Sequence, residues 1–183
     1  MNTYISILRG INVSGKNLIK MTELRQLYLN LGFINIQTYI QSGNVIFQTE
    51  LADIKVMESL ITEGISNNFG FQVPVIVLTN DSLKSALSNN PFLSGSTKDP
   101  AFMHFTFLSD IPQKELVDKI SEKDYTPDEY RFDDKTIFLY CPTGYGNTKL
   151  TNTFFEKKLR VSATTRNLQT VTQLISLSSG TKN

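Results

Sequence analysis

Histidine and cysteine occur once each in these 183 residues, as His104 and Cys141. One of each cannot build a multi-His or multi-Cys zinc centre within one chain, and a single thiol excludes an intramolecular disulfide framework. No run of eighteen apolar residues is present, so no membrane-spanning helix is expected. The opening Met1-Asn2-Thr3-Tyr4-Ile5-Ser6 lacks the charged start, apolar core and cleavage site of a secretory signal. Together with the lone cysteine, this favours a reducing cytoplasm. An excess of charge is missing as well: 18 Lys and Arg against 17 Asp and Glu leave a formal net charge of +1, with no long basic run. The broad positive surface of a protein held to nucleic acid mainly by phosphate contacts is therefore not expected.

What the chain does have is 40% hydrophobic residues, with 12 Phe and 7 Tyr, enough to bury a core as one domain or two small ones. Residues 3–9 read as a strand. A helix follows from about residue 22, where Leu24, Leu27, Tyr28 and Leu31 recur at i, i+3, i+4 and i+7, with Thr22 as the first plausible cap and Gly32 as the stop. Residues 34–40 alternate as a strand, and a glycine turn at Gln41-Ser42-Gly43 leads to a second strand from Asn44. A helix over about 53–69 and the apolar run Pro74–Thr79 complete a βαββαβ order. That is the split-βαβ, ferredoxin-like arrangement, α+β in class, with helices on one face of an antiparallel sheet.

A short helix near 81–89 precedes a Pro-, Gly- and Ser-containing stretch, so residues 1–90 are expected to form one half and 91–100 a connection. From 101 to 183 the pattern βαββα returns. Strands are expected near 101–108, 129–133 and 136–141, and helices near 112–122, from about 149, and over 167–178. Residues 160–164 are a candidate short last strand, which makes the second half a degenerate ferredoxin-like copy.

Gly10-Ile11-Asn12-Val13-Ser14-Gly15-Lys16-Asn17 matches G-x-x-x-x-G-K-[ST] except at the end, where Asn17 replaces the hydroxyl that would hold magnesium. Nucleotide hydrolysis is thus poorly supported. The glycines admit backbone amides close to an anion, and Lys16 adds charge. Two further polar clusters stand at element ends: Gln41, Ser42 and Asn44 in the hairpin, and Thr164-Thr165-Arg166-Asn167 before the last helix, with Thr165 as its expected cap. The ordinary readings are turn chemistry for the first and fastening of the terminal helix for the second. Lys149-Leu150-Thr151-Asn152 repeats the theme of a glycine loop followed by lysine. His104, in a strand-like run beside Phe102 and Thr106, reads as a satisfied structural histidine.

Leu8 to Asn17, Thr38 to Val45 and Ala163 to Asn167, with Lys149–Asn152 and Glu156–Leu159, resemble the signature segments of the bacterial domain-of-unknown-function family numbered sixteen ninety-seven. The resemblance implies an α+β fold and a cytoplasmic bacterial protein, and it supplies no mechanism. Leu168 stands where members of that family usually have Trp, Gln173 where Lys is common, and Arg160 where glycine is usual.

The resulting expectation is a protein that binds a small anionic or phosphate-bearing ligand in a polar cleft made by Arg9, Asn12, Lys16, Gln41, Ser42 and Asn44, with Arg166 and Asn167. No cofactor, metal or catalytic residue is implied, and neither reaction type nor oligomeric state follows. Membrane and nucleic acid are not the expected partners. Two rivals remain: an interaction module pairing through an open sheet face or edge strand, and an RNA reader stacking bases on Tyr4 and Phe47.

Overall fold

Period-two alternation sorts the first strand between two faces. In the computed structural model, which describes residues 1–94 and 97–180, β1 (Asn2–Leu8) turns Tyr4, Ser6 and Leu8 toward the helices and places Ile5 and Ile7 on the opposite, also buried, face. Gly95 and Ser96 of the expected connection, and Thr181, Lys182 and Asn183 of the expected second half, lie outside the described residues. The fold is α+β and consists of two antiparallel four-stranded sheets.

The first sheet has the order β2-β3-β1-β4, built from β1, β2 (Ile34–Tyr39), β3 (Asn44–Thr49) and β4 (Val75–Thr79). Helices α1 (Met21–Asn30) and α2 (Ile54–Phe69) cover the face carrying Tyr4, Leu8, Val45, Phe47, Val75 and Val77. The heart of this core is aromatic: Phe33 and Phe47 lie 4.5 Å apart and Tyr28 meets Phe47 edge-on at 5.5 Å. Each such pair adds about 0.5–1.5 kcal/mol beyond its area burial. The hydroxyl of Tyr28 is satisfied by Ser6 Oγ at 2.7 Å, while burial pushes its pKa upward. Asp53 caps α2 through the amides of Lys55 and Val56, and Gly70 ends it at φ 77°.

The second sheet repeats the order as β6-β7-β5-β8, from β5 (Met103–Leu108), β6 (Glu129–Asp133), β7 (Thr136–Tyr140) and β8 (Ala163–Asn167). Its helices are α4 (Lys114–Ser121) and α5 (Asn152–Leu159), packed with Leu108, Ile137, Leu139 and Ala163 around Phe155. Helices α3 (Asn80–Asn89) and α6 (Leu168–Ser179) complete the chain. The two compact units are Met1–Lys84 with the end of the chain from Gln173, and Ser85–Thr172.

One device recurs in both halves. Glu58 of α2 accepts the main-chain N–H of Val77 on edge strand β4 at 3.0 Å, and Glu156 of α5 accepts that of Ala163 on edge strand β8 at 3.2 Å. A carboxylate from the second helix thus satisfies an edge amide and blocks it from outside pairing. The opposite edge of the first sheet, β2, is broken by a register shift between Ile34 and Gln37.

Several boundaries differ from expectation. The last strand runs Ala163–Asn167 rather than 160–164, because the β-branched pair Thr164 and Thr165 joins β5 opposite Phe107 and Thr106. The second half therefore has its full set of six elements. Thr22 lies inside α1, whose capping position is Lys20 and has no side-chain cap bond. Helix α5 opens at Asn152 with Thr151 as its cap, leaving Lys149 outside.

Candidate functional site

The glycine loop closes on itself. Gly10, Asn12, Ser14, Gly15 and Asn17 all take left-handed φ values, from 48° to 74°. Lys16 N–H donates to Val13 O at 3.0 Å, and Asn12 N–H to Asn17 O at 3.1 Å. Asn17 Nδ2 donates to Gly10 O at 3.2 Å. The amides of Asn12 and Lys16 are thus spent inside the loop, and α1 starts only at Met21, so neither those two amides nor the helix start serves an anion there. Asn12 is the fastener. Its Oδ1 accepts Ile19 N–H at 2.9 Å, and its Nδ2 donates to Ile19 O and to Gln41 O, both at 2.9 Å.

That last bond ties the loop to the β2–β3 turn. Leu8 N–H donates to Gly43 O at 2.8 Å, and Gly43 sits at φ 77°. A Cβ there would lie 2.7 Å from Ile11 Cδ1 and 2.8 Å from Leu8 Cβ, so only glycine permits this approach. Asn44 is fully buried and its Nδ2 donates to Tyr39 O at 3.1 Å and Ser42 Oγ at 3.0 Å, which makes these two residues turn-formers.

The first unit therefore brings Arg9, Asn12, Lys16, Gln41, Ser42 and Asn44 to one end of its sheet, with unequal roles. Asn12 and Asn44 are held in structural bonds, and Arg9 is half-buried with its main-chain N–H on Pro74 O at 3.0 Å. Lys16 and Gln41 are exposed, and among the described residues their side chains enter no ion pair or hydrogen bond. A cleft of about 590 Å³ lies elsewhere in this unit, its lining including Tyr4, Thr79 and Lys84. Asn80 on its wall is already bonded to Ile175 O at 2.9 Å and Ser178 Oγ at 2.6 Å.

In the second unit, Arg166 and Asn167 are on β8. Asn167 Oδ1 accepts Thr170 N–H at 2.9 Å, so Asn167, not Thr165, caps α6. Thr165 instead centres a hydroxyl network that sequence reading missed. Its Oγ1 donates to Asn152 Oδ1 at 2.6 Å and accepts Tyr145 OH at 3.1 Å, so its 2.7 Å contact with Thr106 is donated by Thr106. The alternation that set Thr106 beside His104 was the available signal. His104 stacks on Tyr145 with ring centroids 4.8 Å apart, and its Nδ1 lies 3.2 Å from Phe102 O. Desolvation holds the imidazole below its ordinary value and hence neutral. The same cause lowers the Arg166 guanidinium to about 10, opposed by Tyr145, while its Nη1 donates to Thr165 O at 2.9 Å.

Among the described residues no group of three or more His, Cys, Asp or Glu is arranged to hold a metal ion, and no helix is long and apolar enough to cross a membrane. Tyr4 and Phe47 lie under the helices at 6% and 0% exposure, which removes them as base-stacking platforms.

A family model described as "Protein of unknown function (DUF1697)" matches residues 1–138. No curated protein matches. Among solved structures, the conserved bacterial protein SP0830 from Streptococcus pneumoniae is similar in fold, with a TM-score of 0.73 and 23% sequence identity, over 98% of this chain and 99% of that one.

Proposed function

The chain belongs to the DUF1697 family, and we propose that it is a cytoplasmic protein that binds a small anionic, phosphate-bearing ligand at the joined turns of its first half. One observation carries this reading: Asn12 is given over to fixing the glycine loop against the Gln41 turn, so that Lys16 and Gln41 are held at one sheet end with unengaged side chains. A cation beside an amide donor suits a phosphate or carboxylate, and because the backbone carrying both is already fixed, only their side-chain rotamers remain to be ordered on binding. Arg9, at the same end, adds a second positive charge. The cytoplasmic placement is supported by the single, buried thiol, which leaves no intramolecular disulfide to form. No reaction is assigned.

Titration calorimetry with inorganic phosphate tests it. Lys16→Ala is expected to weaken binding about tenfold, the scale of one charge-assisted hydrogen bond, and Gln41→Ala less. Unchanged phosphate binding in both variants contradicts the reading.

A further inference from the structure

A concentration of like charge lies in the second unit. A pocket of about 170 Å³ is lined by Lys119, Lys123, Lys157, Lys158 and Arg160, with Tyr125 on its wall and no carboxylate among the lining residues. Five of the eighteen Lys and Arg in a chain of net charge +1 thus face one small volume. Among the described residues none of the five is within salt-bridge distance of an acid. Lys114, on the same α4, shows the contrast: it is paired with Asp118 at 2.7 Å. Glu156, the acid next to Lys157, is turned away to accept Ala163 N–H.

Helix-end electrostatics explains part of this. Lys119 sits in the last turn of α4, and Lys157 and Lys158 in the last turn of α5, where cations favour the negative end of the dipole. The dipole does not account for Lys123 and Arg160, which lie beyond those ends. Arg160 follows α5 in the left-handed region at φ 60°, the position where glycine is the unstrained choice. A strained residue that adds a fifth positive charge to an unneutralised pocket is better explained by a ligand than by folding.

We propose that this pocket binds a small phosphate-chain anion, a diphosphate or longer, with its charge matched by the five cations and the rest of the ligand passing Tyr125. A single phosphate of charge near −2 leaves most of the mutual repulsion unrelieved, whereas a diphosphate relieves it. The concave shape and small volume favour such a group over a nucleic-acid strand, which needs an extended groove and a series of stacking rings. This site is separate from Lys16 and Gln41 and does not rest on the reading given for them.

The protein is titrated calorimetrically with inorganic pyrophosphate and, separately, with orthophosphate and a single-stranded RNA 12-mer. Pyrophosphate is expected to bind about tenfold or more tighter than orthophosphate, with affinity falling as salt is raised. Lys157→Ala/Lys158→Ala is expected to lower pyrophosphate affinity at least tenfold, and Arg160→Gly several-fold. Because Arg160→Gly relieves backbone strain, its loss of affinity comes without a fall in Tm and cannot be put down to misfolding. Lys16→Ala removes the separate first-unit site and is expected to leave the pyrophosphate-induced amide shifts of Lys119, Lys123 and residues 157–160 intact. Three results overturn the proposal: pocket variants that bind pyrophosphate like the parent, loss of those pocket shifts in Lys16→Ala, or RNA binding tighter than pyrophosphate that is lost in the pocket variants.

Discussion

Asn12 Nδ2 donates to the main-chain oxygen of Gln41 at 2.9 Å, joining a loop and a turn that are 29 residues apart in sequence. The same amide group also holds Ile19 by two bonds of 2.9 Å. Removing it exposes several main-chain groups at once. Asn12→Ala is therefore expected to destabilise the protein by about 2–3 kcal/mol, combining lost hydrogen bonds with the cost of alanine at φ 54°. Asn12→Gly removes the second cost and should fall between. Urea midpoints measure both, and an Asn12→Ala variant as stable as the parent contradicts the role of fastener.

Gly43→Ala tests the close approach of the turn to the glycine loop. The new methyl meets Ile11 and Leu8 side chains below 3.0 Å and sits at positive φ. The expected loss is about 2 kcal/mol or more, read from the shift of the denaturation midpoint at unchanged slope.

His104 gives the fold a pH dependence. Burial lowers its folded-state pKa from 6.5, so between that lowered value and 6.5 the unfolded chain binds more protons than the folded one. The stabilisation is complete above about 6.5 and is lost as pH falls through the folded value. As the chain's only histidine, it gives one isolated imidazole titration by NMR, with a midpoint expected below 6.5. His104→Gln should reduce the loss of urea resistance between pH 7 and pH 5, and a midpoint at or above 6.5 contradicts the assignment.

Cys141 is fully buried, and desolvation followed by the charge of Asp128 raises its thiol to about 11. The thiolate is scarce at neutral pH and shielded. Modification by Ellman's reagent should be negligible in buffer and complete in denaturant, whereas rapid modification of the folded protein would show that the thiol is accessible.

Arg160→Gly is expected to stabilise the protein by about 1 kcal/mol, since glycine at the end of a helix avoids the left-handed penalty. For a chain of this size, that is a Tm increase of roughly 2–4 °C. Differential scanning calorimetry reads it directly, and a lower Tm would show that the arginine side chain makes a stabilising contact.

Strand and helix periodicity made the fold legible. Leu24, Leu27 and Tyr28 do form the buried stripe of α1, and Ile61 and Ile65 that of α2. The last strand was displaced because Thr164 and Thr165 read equally as a helix start, and only pairing with Thr106 and Phe107 decides for strand. The candidate site was legible as a set of polar turn residues. Which of them act as fasteners was not, because the bonds from Asn12 to Ile19 and Gln41 and from Asn167 to Thr170 depend on three-dimensional closure. The basic pocket was hidden for a related reason: its lysines are scattered over α4, the following segment and α5, so no run of charge marks them.

Amide chemical-shift mapping of the protein with inorganic phosphate tests the anion reading most directly. The predicted result is saturable shifts centred on Val13–Lys16 and Gln41, absent in Lys16→Ala. Saturating phosphate that leaves those amides unmoved would contradict it.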